Sequence, residues 1–102
     1  MTEDRKNLIP SSKSMVRDVV DVIRNAGGRA KSAEIDRRLL EKLGISDEVA
    51  SILHKDGERR SEFSYRSAWA RTYCRQQGLI SKEPNGLWVL VSPSQSETAQ
   101  GS

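Results

Sequence analysis

Residues Ser61–Val91 read SEFSYRSAWARTYCRQQGLISKEPNGLWVLV, and how this stretch is read decides the fold. At 100° per residue, a helix from Ser61 to Gln77 collects Phe63, Trp69, Ala70, Tyr73 and Cys74 on one side. Ser64, Ser67, Ala68, Arg71 and Arg75 fall within about 100° of one another on the other side. Gly78 ends the helix, because glycine adopts the left-handed conformation that closes a helical turn. Leu79-Ile80 and Leu87 to Val91 are then two β-prone runs around Ser81 to Gly86. Asn85-Gly86 supplies the turn, since both residue types tolerate positive φ. Alternation puts Trp88 and Leu90 on the face expected inward, with Leu87, Val89 and Val91 on the outward one.

Upstream, Met15, Val16, Val19, Val20, Val22 and Ile23 recur at helical spacing and predict a first helix from about Lys13 to Asn25, stopped by Gly27-Gly28. Gly28-Arg29-Ala30 is a brief extended connection. Ser32 is the expected N-cap of a second helix from Ala33 to Leu43, which buries Ile35, Leu39, Leu40 and Leu43 and closes at Gly44. Ser46 caps a short helix from Asp47 to about Leu53. His54 to Arg60 contains no apolar residue and is expected to be an exposed loop. Helix, extended piece, helix, helix and two-stranded hairpin is the order of a winged helix-turn-helix, mainly α with a small antiparallel β-hairpin. The expected organisation is a flexible N-terminal segment over 1–10, a winged-helix domain over 11–91 and a disordered, polar tail over 92–102.

A chain of 102 residues supports one small core, not a core plus a large catalytic cleft. Its net charge is +3, and its distribution is uneven. From Glu58 to Lys82 the positives are Arg59, Arg60, Arg66, Arg71, Arg75 and Lys82 against Glu58 and Glu62, a net of +4. The single cysteine, Cys74, cannot make an internal disulfide, and neither a secretory signal nor an apolar run of bilayer length is evident. The expectation is an intracellular, cytoplasmic protein without membrane contact, compatible with nucleoid association.

Small residues on the outward face of the 61–77 helix permit close approach to a groove, and guanidinium groups suit phosphates and the guanine edge. Carboxylates are absent from that face after Glu62, whereas the second helix interleaves both signs as a solvated helix does. The residues expected to contact DNA are Arg60, Ser64, Ser67, Arg71 and Arg75, with Lys82 and Asn85 at the turn of the hairpin, where Glu83 opposes them. Trp69 and Tyr73 are assigned to the core rather than to base stacking, and Cys74 is read as a small buried hydrophobe. No carboxylate cluster on a sheet, metal-ligand set or glycine-rich phosphate loop is present, so neither catalysis nor a metal or other cofactor is expected. His54 is read as a surface residue.

The string Trp69-Ala70, Cys74, Gly78-Leu79 and Gly86-Leu87-Trp88-Val89-Leu90 resembles the N-terminal domain of Mrr-type restriction proteins, which typically show W-A-x-x-x-L-x-x-x-G-L followed by G-x-W-x-L. Leu43-Gly44-Ile45-Ser46 resembles the L-G-L/I segment ahead of that family's short helix, so the likeness spans about Met15 to Val91. Cys74 stands where the pattern has leucine, and Val91-Ser92-Pro93-Ser94-Gln95 replaces the family's Thr-x-x-Gly. The resemblance implies a winged helix that presents double-stranded DNA to a nuclease domain, fused or associated. It also implies that Ser64, Ser67, Arg71 and Arg75 lie on the recognition helix and that Lys82 to Gly86 form the wing. The alternative is a winged helix used for protein contact or homodimerisation, suggested by Leu87, Val89 and Val91 on the outer face of the hairpin.

Overall fold

In the computed structural model, residues 6–55 and 59–91 are described. One 3-10 turn, Lys13–Met15, leads into α1 (Val16–Asn25), followed by β1 (Arg29–Lys31), α2 (Ser32–Leu43), the single turn α3 (Asp47–Ala50), α4 (Glu62–Gln76), β2 (Ile80–Lys82) and β3 (Leu87–Leu90). The strands form one antiparallel sheet in the order β1-β3-β2. This is the winged helix that the order of elements predicts, with the extended piece after α1 promoted to a third strand.

Register explains the promotion. Arg29, Ala30 and Lys31 pair with Val89, Trp88 and Leu87, while Ile80, Ser81 and Lys82 pair with Leu90, Val89 and Trp88 on the other side. Side chains alternate across a strand, so Ala30, Ile80 and Trp88 turn inward together, and Arg29, Lys31 and Ser81 share the outer face with Leu87 and Val89. β3 is therefore the central strand, and its outward residues are half-buried rather than open apolar surface.

The core is where these elements meet. Met15, Val19 and Ile23 of the first helical segment pack with Ile35 and Leu39 of α2, Phe63, Ala70 and Cys74 of α4, and Ile80 and Trp88 of the sheet. Phe63 is the largest fully buried side chain, and truncating such a residue to alanine costs about 3–5 kcal/mol. Ile9, only 2 % exposed, belongs to the same cluster. Within the segment expected to be flexible over 1–10, Ile9 is thus held in the core, while Asn7 and Leu8 are exposed. Arg66 Nη1 donates to the carbonyls of Ile9 at 2.6 Å and Lys6 at 3.3 Å, and Lys6 Nζ donates to the His54 carbonyl at 3.0 Å. Residues 1–5 and the tail from 92 lie outside the described residues.

Local chemistry sets the element ends. Gly44 closes α2 at φ 66°, where a side chain would be strained, and Ser46 Oγ caps α3 by accepting from Val49 N–H at 3.3 Å. α3 stops at Ala50, short of Leu53, because Leu53 bridges to Ser61 and draws the chain out of helical geometry. Ser32 does not cap α2. The helix begins at Ser32 itself, whose hydroxyl instead accepts from Trp88 Nε1 at 3.0 Å and anchors the sheet to the helix. At the wing tip, Gly86 N–H donates to the Glu83 carbonyl at 2.9 Å and Glu83 N–H to the Leu87 carbonyl at 2.8 Å, with Pro84 pre-set at the second position. Only Gly86, at φ 82°, takes the left-handed conformation; Asn85 keeps negative φ, and its Oδ1 accepts from Leu87 N–H at 3.1 Å.

Candidate nucleic-acid interface

α4 presents the surface on which a nucleic-acid reading depends. Ser61 caps it, Oγ accepting from Ser64 N–H at 3.1 Å. Its inward face is Phe63, Ser67, Ala70, Arg71 and Cys74, an unbroken helical spacing whose members are all buried. Tyr65, Ala68, Trp69, Thr72 and Gln76 lie opposite, within about 100° of arc, and all are half-buried or exposed.

The helix is therefore rotated by roughly 80° from the orientation that its aromatic residues suggest. Ser67 is fully buried and Arg71 is 8 % exposed, so neither lies on the outward face. The reason is Asp36 on α2. Its carboxylate accepts from Ser67 Oγ, from Arg71 Nη1 at 3.1 Å and from Ser64 Oγ at 3.4 Å, and Arg71 Nη1 also donates to Ser67 Oγ at 2.9 Å. The Arg71 guanidinium further lies over the Trp88 ring, 5.6 Å from its centroid. A carboxylate between two packed helices must be neutralised, because burying a lone charge costs far more than any local preference of a serine for solvent.

Trp69 is correspondingly displaced from the core. It is 43 % exposed and tilts against Tyr73 at 5.9 Å between ring centroids. The inward positions beside it admit only small groups: Cys74 Sγ approaches the Val16 carbonyl at 3.3 Å, and Ala70 is fully buried. Cys74 is the buried hydrophobe expected, and burial pushes its thiol up to about 11. Tyr73 packs on the core, partly buried.

Of the other residues assigned to DNA, Arg60, Arg75, Lys82 and Asn85 are exposed and Ser64 is half-buried. Lys82 Nζ sits 5.3 Å from the Trp88 ring centroid, which aligns it on the wing by a cation–π contact. Two exposed cations of the sheet, Arg29 and Lys31 on β1, escaped the sequence reading. Their alternation with buried Ala30 is the signal that marks them.

His54 is also more than a surface residue. Its side chain is 20 % exposed, its Nδ1 lies 2.8 Å from Glu62 Oε1, and its ring stacks on Tyr65 with centroids 3.8 Å apart. Glu62 is buried at the start of α4 and also binds Arg66 Nε at 2.6 Å, with Lys6 Nζ 3.6 Å away. Burial alone would raise its carboxyl, but hydrogen bonds from His54 and Arg66 outweigh that and hold it below the usual carboxylate value.

Among the described residues, no group of three His, Cys, Asp or Glu side chains is placed to hold a metal, and no helix is long and apolar enough to cross a membrane. Searches of curated proteins and of solved structures returned no match. A family model does match, over residues 12–96, nearly the whole of the described fold and its core. The chain belongs to the Mrr N-terminal domain family.

Proposed function

We propose that this domain binds double-stranded DNA, with the outward face of α4 in the major groove and the wing on the phosphate backbone. The observation that carries this reading is the disposition of charge on and around α4. The carboxylates that α4 owns or touches, Glu62 and Asp36, turn inward and are held by Arg66, His54 and Arg71. The outward face is left with the neutral groups Tyr65, Ala68, Trp69, Thr72 and Gln76, flanked by exposed Arg75. Gln and Thr suit base edges, a small residue such as Ala68 allows close approach, and cations suit phosphates. Arg60 before the helix and Lys82 and Asn85 on the wing supply the flanking backbone contacts. Ser67 and Arg71 act through the fold, by setting how α4 sits on α2.

Membership of the Mrr N-terminal domain family associates the domain with restriction systems. In that setting the module presents DNA to a nuclease domain, fused or associated, and performs no chemistry of its own. The engagement of Glu62 and Asp36 in ion pairs supports a structural role for both. A second reading, protein contact or self-association, draws on Trp69 and Leu79, which are 43 % and 37 % exposed.

Fluorescence anisotropy with a mixed-sequence duplex tests the first reading. Binding at low salt is expected, with log K falling linearly as log[salt] rises. Absence of any affinity tighter than about 100 μM at low salt, which is weaker than ordinary non-specific binding, refutes it. Light scattering tests the second reading, which fails if the domain remains a strict monomer at high concentration.

A further inference from the structure

The chain between α3 and α4 is pinned shut at its base. Leu53 and Ser61 form an antiparallel bridge, His54 N–H donates to the Arg60 carbonyl at 3.0 Å, and Glu62 N–H donates to the Ile52 carbonyl at 2.7 Å. This closure places Lys55 and the Arg59-Arg60 pair around one open cavity of about 630 Å³, whose described lining also includes His54 and Tyr65. Its aromatic wall is held in place. The His54 ring is fixed by Glu62 on one ring nitrogen and by the stack on Tyr65, at an interplanar angle of 15°, and its carbonyl accepts from Lys6.

The described lining therefore combines three exposed cations with two ordered aromatic rings. Two adjacent guanidinium groups offer planar, forked donors that match oxyanion geometry, and the lysine adds a point charge. The second ring nitrogen of His54 and the Tyr65 hydroxyl add hydrogen-bonding capacity on the wall. Tyr65 also belongs to the outward face of α4, so the cavity and that face are continuous. We propose that this cavity is a phosphate site that seats a backbone phosphodiester of the bound duplex next to the start of α4. The assignment rests on the DNA reading above and extends it to a defined anchor, of which Arg60 is the only member singled out by the sequence.

The experiment measures duplex affinity across a salt series for the wild-type chain and for an Arg59→Ala/Arg60→Ala variant. Proton NMR of the His54 and Tyr65 rings during titration with inorganic pyrophosphate is run alongside. Both arginines are exposed, so the variant is expected to fold, and its core resonances check that it does. The expected result is a reduction of about two in the slope of log K against log[salt]. The His54 and Tyr65 ring signals of the wild type are expected to shift with pyrophosphate, and pyrophosphate is expected to displace the duplex. A folded variant that binds duplex with an unchanged slope overturns the phosphate site while leaving the DNA reading intact. A wild-type chain that binds pyrophosphate at these rings but no duplex overturns both the phosphodiester assignment and the DNA reading. A wild type that binds neither overturns both as well.

Discussion

Arg71 and Arg75 stand one turn apart on α4, identical in chemistry and alike in their prospects when the helix is drawn alone. Arg71 is buried against Asp36, Ser67 and the face of Trp88, whereas Arg75 is exposed. A shift of one turn thus separates a group that determines how α4 docks from one that is available to a partner. The difference does not come from α4. It comes from a carboxylate on α2, 35 residues before Arg71, that requires a cation where the two helices touch.

The most severe way to test this contrast is to remove the inner arginine. Arg71→Ala leaves Asp36 with only the hydroxyls of Ser67 and Ser64, and breaking this partly buried pair from one side is expected to cost about 2–3 kcal/mol. Urea unfolding at neutral pH reads this as a lower midpoint at unchanged slope. A loss below about 1 kcal/mol, the range of surface pairs, would mean that Arg71 behaves as a solvated residue and that the two arginines do not differ in kind. Replacing Asp36 and Arg71 together by well-packed neutral residues is expected to recover part of the loss, because the desolvation cost of the pair disappears with it.

Most of the architecture was legible in the chain, since it is set by local signals. The stop at Gly44, the cap at Ser46, the ends of α4 and the inward face of Trp88 are each decided by residues within a few positions of one another. The rotation of α4 was not legible from α4. Its aromatic residues spread over more than one face, and Ser67 and Arg71 look outward until Asp36 is known. The clue lay in α2, where Glu34–Arg38 and Arg37–Glu41 pair along the helix and Lys42 reaches Asp18 of α1. Asp36 is the acid left over, flanking the Ile35–Leu39 stripe, and a residual carboxylate beside an apolar stripe signals a cation on the neighbouring element. His54 was misjudged for a similar reason, because its partners, Glu62 and Tyr65, belong to the first turn of the next helix.

Glu62 provides the intermediate test, since it secures the outer end of α4 as Asp36 secures its middle. Its carboxyl titrates below the ordinary value in the folded chain, against about 4.3 when unfolded. The unfolded chain therefore takes up the proton first as the pH falls. The stabilisation is complete above the unfolded value and is lost as pH drops through the folded one. Unfolding free energies measured between pH 7 and pH 3 should decline over this window. Glu62→Gln should lower stability by about 2 kcal/mol at neutral pH, the worth of hydrogen bonds to a charged group, and should flatten the decline. An unchanged pH profile in the variant would assign the acid sensitivity to other carboxylates and remove Glu62 as the anchor of His54.

The smallest effect on stability, and the sharpest on function, is expected at the outer arginine. Arg75→Ala removes no contact to the core and should leave the unfolding free energy within about 0.5 kcal/mol of the wild type. If Arg75 meets a phosphate, duplex affinity should fall across all sequences and the salt slope should drop by about one. If it reads a guanine edge, the loss should concentrate on particular sequences, at about 1–3 kcal/mol for the preferred base. Competition between a mixed-sequence duplex and selected ones separates the two outcomes. Full retention of affinity and slope would place DNA on some surface other than this flank of α4. The contrast between the two arginines would then be one of packing alone, with function carried by the exposed cations of β1 or by the cavity ahead of the helix.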